Sequence, residues 1–213
     1  MKIILSAIEP GLADAWERFC GAFECVAIHR GSILDLKCDA VVSPANSFGF
    51  MDGGIDMLYS LHFGWGVQGR LQALIRERHQ GELLVGMAEI VETESPDIPY
   101  LISAPTMRVS MILDDDTANP YLAVRAVLLL VQNGTFGSGA FEGERIDGTI
   151  ETVAFPGLGT GVGRVSFQTC AKQMRVAIED VILGQNAFPS SWSEAQERHQ
   201  RLYTNQIRDL QRE

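Results

Sequence analysis

Two stretches of the chain combine residue types that add little to packing and much to chemistry. "FPGLGTGVGR" (155–164) places four glycines in ten positions at the end of the short apolar run "TVAF", and "SPANSFGFMDGGID" (43–56) follows "DAVV". Glycine gives up the most backbone freedom on folding, so this density points to something that approaches the main chain too closely for side chains. A phosphate cradled by backbone N–H groups meets that description. A tight strand-to-helix turn is the alternative, but it needs fewer glycines. Both stretches run into helix-like patterns, whose first N–H groups lack partners and favour an anion. The stretch at 43–56 also carries Asn46, with donor and acceptor on one amide, and the ionisable Asp56. The residues alone leave each of these two readings: Asn46 as a ligand contact or an Asx turn, Asp56 as an acid–base group or a helix N-cap.

Loops of this kind need a frame, and the rest of the chain supplies one. "KIILSAI", "CVAIHRG", "DAVVSPA", "AEIVET", "YLISAP" and "TVAFPG" read as strands. Between them lie helical patterns. "GLADAWERFCGAF" carries Leu12, Trp16, Phe19 and Phe23 on one stripe, and residues 55–63 and 67–79 form one broken or two short helices. "NPYLAVRAVLLLVQNG" has Asn119 as N-cap, Pro120 at the first helical position and Gly134 beyond the end, and "SFQTCAKQMRVAIEDVILG" opens with Ser166 and closes with Gly184. This alternation implies an α/β fold with a mixed, mostly parallel sheet covered on both faces. Ligands of such sheets bind beyond the carboxyl ends of strands, where both glycine-rich loops start; together they make two walls of one phosphate-binding cleft. Residues 133–149, with five glycines, read as a long mobile loop. Residues 187–213 read as an appended helix with a capping box of Ser191 and Glu194 and a thin stripe of Ala195, His199, Leu202 and Leu210, packed on the domain edge or a neighbouring subunit. "DDD" at 114–116 reads as a solvated loop ahead of a helix.

Bulk properties narrow the function. The chain has 213 residues, 46% hydrophobic and 21% charged, with a formal net charge of −10. That balance argues against a general nucleic-acid binder, which presents a basic surface to phosphates, while leaving room for a small anion held by main chain. No apolar run approaches the roughly 20 residues of a membrane span, and Glu9 and Pro10 interrupt the start before a signal-peptide core forms. Cys20, Cys25, Cys38 and Cys170 lack metal or disulfide spacing, and His29, His62, His79 and His199 are scattered. The expectation is a cytoplasmic protein with buried free thiols, no metal site, no cofactor and no membrane partner.

Four ordered segments with preserved spacing, over roughly residues 25–183, resemble the macro domain family. "GSILDLKCDAVVSPANS" (31–47) is similar to G-D-I-T-x-L-x-x-D-A-I-V-N-A-A-N-S, and "FGFMDGGIDMLYSLHFG" (48–64) to the family's glycine-rich loop and helix. "GELLVGMAEIVETESPDIPYLISAPT" resembles its G-x-x-x-x-G-x-A strand and central strand, and "VAFPGLGTGV" its second loop, F-P-x-I-S-T-G-V/I. The resemblance implies a three-layer α/β/α fold around a mixed, mostly parallel sheet of six or seven strands. It also implies one domain over residues 1–184, with an extra strand and helix at 1–24 and a helical extension at 185–213.

Macro domains bind ADP-ribose, and some remove it from modified proteins or related esters. Carried onto this sequence, the resemblance makes Gly157, Gly159, Thr160, Gly161 and Val162 the diphosphate loop, with Pro156 and Leu158 as ligand contacts beside it. It makes Ser32, Ile33, Ala45, Gly53, Gly54 and Ile55 further ligand contacts, Asn46 the residue that orients the distal ribose, and Asp56 the residue that polarises water. Three positions depart from the pattern. Ser32 replaces an aspartate that accepts from the adenine amino group, with Asp35 a weaker substitute. Ser43-Pro44 replaces Asn-Ala, removing one polar side chain near the site. Gly163 stands where many members keep an aromatic ring, leaving a roomier ribose end for Phe48, Phe50 or Met51 to fill, with Arg164 beside it as a phosphate contact or a surface arginine. Thr106 and Arg108 are further candidates to line the cleft. The functions implied are an ADP-ribosyl hydrolase, a non-catalytic ADP-ribose reader, or a macro-like domain for another phosphorylated nucleotide.

Overall fold

The computed structural model describes residues 1–209. In chain order the elements are β1 (Lys2–Ala7), α1 (Pro10–Cys20), β2 (Val26–Arg30), a 3₁₀ turn (Ile33–Asp35), β3 (Ala40–Ser43), α2 (Gly54–Phe63) and α3 (Gly66–Arg78). They continue with β4 (Glu89–Glu92), β5 (Tyr100–Ser103), α4 (Asn119–Asn133), β6 (Thr152–Phe155), α5 (Phe167–Val181) and α6 (Trp192–Gln200). The helical region at 55–79 is therefore two helices, divided at Gly64, whose φ of +82° a side chain would resist.

The strands form one sheet in the order β2-β1-β6-β3-β5-β4. Every pairing is parallel except β4 with β5, where Glu89 faces Ser103 and Glu92 faces Tyr100. β1, expected as part of an N-terminal addition, lies inside the sheet. Ile3 pairs with Val26 of β2 on one side and Val153 of β6 on the other. The central strands are buried on both faces, as parallel sheets require, and this explains their unbroken apolar runs.

Two cores flank the sheet and make three layers. Trp16 and Leu12 of α1, Val124 and Leu128 of α4 and Met174 and Ile178 of α5 pack on one face. Tyr59 of α2 and Val67, Leu71 and Ile75 of α3 pack on the other. Trp16 is fully buried and its indole Nε1 lies 3.2 Å from the Met174 sulfur, tying α1 to α5. The Tyr59 hydroxyl donates to the Val42 carbonyl at 3.0 Å, which fixes α2 beneath β3.

Helix ends show where tertiary partners replace local ones. Ser166 caps α5 as expected, its Oγ accepting from the Thr169 N–H. Asn119 does not cap α4. The cap residue is Ala118, the Tyr121 N–H is satisfied by buried Gln173 of α5, and the Asn119 amide donates to the Thr106 carbonyl at 2.8 Å. Ser191 caps α6 through the Glu194 N–H, but Glu194 returns to the N–H of Ser190, so the capping box is displaced by one residue. The appended helix is shorter than expected. It stops at Gln200, Leu202 is buried beyond it, and Leu210 lies outside the described residues. The glycine-rich segment after α4 carries tertiary anchors, with Phe136 and Ile146 buried and Ala140 N–H donating to Glu92. No helix among the described residues is long and apolar enough to cross a membrane.

Truncating Trp16 removes the largest side chain from the core on the α1 side. Trp16→Ala is expected to lower unfolding free energy by about 3–5 kcal/mol, read from the urea midpoint at unchanged slope.

Candidate functional site

Because β1, β2, β3, β5 and β6 run the same way, their carboxyl ends open on one edge of the sheet. The loops that leave this edge enclose a cleft of about 420 Å³. Its middle wall is the β6–α5 loop, with Pro156, Gly157, Gly159, Thr160, Gly161, Val162 and Gly163 lining it. The β3–α2 loop forms a second wall through Ala45, Asn46, Gly53, Gly54, Ile55 and Asp56, and Ser32 and Ile33 reach it from beyond β2. The structure thus brings together most of the residues singled out from sequence. Leu158 and Arg164 do not line it, nor do the further candidates Asp35, Phe48, Met51 and Arg108. Leu158 is fully buried in the core and anchors the loop from beneath. Arg164 does not line the cleft; its backbone takes a left-handed φ of +55° and its N–H donates to the Gly161 carbonyl, closing a turn.

The middle wall offers main-chain donors. The carbonyls of Gly159, Gly161 and Gly163 accept from Val165, Arg164 and Leu113, which leaves the turn held from one side. The N–H groups of Gly159, Thr160, Gly161, Val162 and Gly163 find no acceptor among the described residues. Gly159 and Gly163 are buried, where an unpaired main-chain donor calls for a partner, and a run of such donors makes an anion-binding concavity. Gly159 has a φ of +70°, and a Cβ there would meet Val165 at 3.0 Å. At Gly163 a Cβ would meet the Gly159 carbonyl at 2.6 Å, with Met107 and Leu113 just behind. The space beside Gly163 is therefore not open as expected from the missing aromatic ring.

The two flanking helices differ in their openings. α5 is capped by Ser166, which accepts from the Thr169 N–H, and none of its first-turn residues lines the cleft. α2 starts from Gly53, which has no side chain to cap with, and its first-turn residues Gly54, Ile55 and Asp56 line the cleft with their N–H groups unpaired among the described residues.

Asp56 sits in that first turn and is buried. It does not cap the helix. Its Oδ1 accepts from the Ser43 hydroxyl at 2.6 Å, leaving Oδ2 for the cleft. Burial raises its pKa to about 6, against the opposing pull of the Ser43 hydrogen bond. Ser43, read from sequence as the loss of a polar group, is thus the partner of the one buried carboxyl on the cleft wall. Asn46 turns inward. Its Oδ1 accepts from the N–H groups of Phe48 and Phe50 and its Nδ2 donates to the Phe50 carbonyl at 2.8 Å, the Asx-turn role with one amide N–H left over. Of the bulky residues in this loop, Phe50 lines the cleft, Met51 is buried in the core, and Phe48 lies under the Arg108 guanidinium. Arg108 points away to Glu82, whereas Thr106 lines the cleft with its hydroxyl on the Pro44 carbonyl.

Sequence reasoning missed one wall. Ser6, Ala7, Ile8, Glu9 and Leu12, from the end of β1 into α1, line the cleft beside Gly31. Asp52, Leu58, Met107 and Ser110 complete the rim. Every ionisable side chain on the lining is acidic: Glu9, Asp52 and Asp56.

An anion-accepting cleft at the carboxyl edge of a three-layer α/β/α sandwich defines the class. The Macro domain model matches residues 42–174, and the chain belongs to that family. It is similar to an uncharacterised protein of Aquifex aeolicus, 28% identical over 150 residues that cover 70% of this chain and 78% of the relative. Its fold is similar to the Oceanobacillus iheyensis macrodomain with ADP, at 18% identity and a TM-score of 0.57 over 81% of this chain and 84% of that one. A mutant of the same macrodomain with ADPR matches at 18% identity and a TM-score of 0.56, over 70% and 74% of the two chains.

Two measurements check this geometry. Gly159→Ala is expected to destabilise by about 1–2 kcal/mol through its left-handed φ, while Gly161→Ala, with open space around its Cβ, leaves the urea midpoint near wild type. Ser43→Ala removes a donor to the ionised carboxylate, so Asp56 titrates above its present value of about 6 by carboxyl NMR.

Proposed function

We propose that the cleft holds an ADP-ribosyl group and hydrolyses its ester to an acidic side chain or small acid. The observation that carries the reading is the row of unpaired N–H groups from Gly159 to Gly163, which suits a diphosphate without any basic side chain. Structures of the Oceanobacillus iheyensis macrodomain with ADP and with ADPR support this choice of ligand. With the diphosphate on the β6–α5 loop, the distal ribose extends toward the β3–α2 loop and Asp56. There Asp56, ionised above about pH 6, takes a proton from water as the water oxygen bonds to the anomeric carbon. The anomeric carbon–oxygen bond to the acyl group breaks, the carboxylate leaves with the electron pair, and Asp56 releases its proton to solvent. The first-turn N–H groups of α2 suit the distal phosphate and hold the sugar in place for attack.

A binding-only module is the second reading, favoured by Asn46, whose amide is committed to its own loop and holds the sugar with at most one N–H. The two readings separate by experiment. Wild type is expected to release ADP-ribose from a glutamate-modified protein, with kcat/KM rising through pH 6 and then levelling as the base form of Asp56 fills. Asp56→Asn is expected to lose about 100-fold or more in turnover while binding ADP-ribose no more weakly in calorimetry. Calorimetric binding without any release by wild type would establish the reader instead.

A further inference from the structure

The cleft has a direction, and the sheet order sets it. The carboxyl ends of β2 and β1 open at one end, β6 lies in the middle, and β3 and β5 open at the other. If the β6–α5 loop takes the diphosphate and the β3–α2 loop takes the reacting sugar, the base of an extended nucleotide falls against β1 and β2. This placement rests on the ligand proposed above. At that end the cleft lining holds one charged residue, Glu9, which is solvent-exposed. Its carboxylate has no donor among the described residues, while its backbone carbonyl alone serves α1 by accepting from the N–H groups of Leu12 and Ala13. A carboxylate near a helix N-terminus is favourable in itself; Glu9 differs in lining the cleft with its acceptors unused.

Its neighbour is equally specific. The parallel register pairs Ala7 with Arg30, and beyond it the Gly31 N–H still donates to Ala7 while the Ser6 hydroxyl donates to the Gly31 carbonyl. Two residues further along each chain stand Glu9 and Ser32, both on the cleft. The Ser32 Oγ accepts from the Leu34 N–H, so its hydroxyl proton remains to be donated. Asp35, the other acid near this end, sits in the 3₁₀ turn and does not line the cleft.

We infer that Glu9 is the residue that selects the base. Its carboxylate accepts from the exocyclic amino group of adenine, and the Ser32 hydroxyl donates to the adjacent ring nitrogen. A hypoxanthine base places a carbonyl oxygen where adenine has the amino group, and two acceptors then oppose each other.

Calorimetry with ADP-ribose and inosine diphosphate ribose tests the assignment. Wild type is expected to prefer ADP-ribose by about tenfold or more, the weight of one hydrogen bond to a charged acceptor. Glu9→Gln, which can donate to the hypoxanthine oxygen, is expected to bring the two ligands within about threefold of each other. The side chain makes no cap hydrogen bond, so the variant keeps α1 intact. An unchanged ratio, or an equal shift for both ligands, would overturn the role of Glu9 and leave the cleft reading standing. Failure of wild type to bind ADP-ribose at all would overturn both.

Discussion

Parallel pairing binds β1 to β2 and β6, and β3 to β6 and β5, so five strands must end on the same edge. Each parallel connection needs a crossover, and the helices that provide it cover both faces of the sheet. The edge is then one of two where chain reversals lie outside the helical layers. Strand order decides which loop stands next to which. β6 in the middle gives its loop a neighbour on either side, and the cleft is the space between these three sets of turns. None of the loops has to be long or self-supporting, because the ladder beneath has already set their starting points.

Within that frame, buried side-chain atoms lack a partner away from the cleft as well, at His29, Arg70, Glu89 and Ser103 among the described residues, but the run of unpaired main-chain donors falls at the cleft. α4 borrows Gln173 from another helix, and α5 uses its own Ser166. α2 alone among the helices around the cleft begins at a glycine, and the loop after β6 uses its carbonyls internally while its N–H groups do not pair. The same contrast holds for Asp56. Burial makes its charge costly, and a single hydroxyl meets one of its two oxygens. A structure selected for stability alone would have capped the helix and paired or removed the acid. Local shortfalls of this kind mark the place where the protein is arranged around something else.

Much of this was legible in the sequence, because strand and helix periods are local and the two loops announce themselves by composition. The order of elements, the Ser166 cap and the meeting of the two loops all follow from such signals. Long-range pairing has no local signature, so the place of β1 between β2 and β6, and with it Glu9 on the cleft, does not follow from local pattern. Asn119 shows the same limit: its cap signal is sound locally, but Gln173 supplies the donor's partner from 52 or so positions along the chain. Leu158 and Arg164 fall in a loop read as a continuous lining. A lone leucine among glycines is a signal for an inward anchor, and it was available.

The acidic lining has a consequence for how a ligand arrives. A protein of net charge −10 with Glu9, Asp52 and Asp56 around its cleft, and no lysine, arginine or histidine there, repels a diphosphate at long range. Charge steering accelerates most encounters of enzymes with phosphorylated ligands and fades with salt. Here the field has the opposite sign, so screening by counterions lifts a barrier. For a diphosphate ligand, association is then expected to be slowest in dilute buffer and to quicken as ionic strength rises, with short-range main-chain donors left to hold what diffusion delivers.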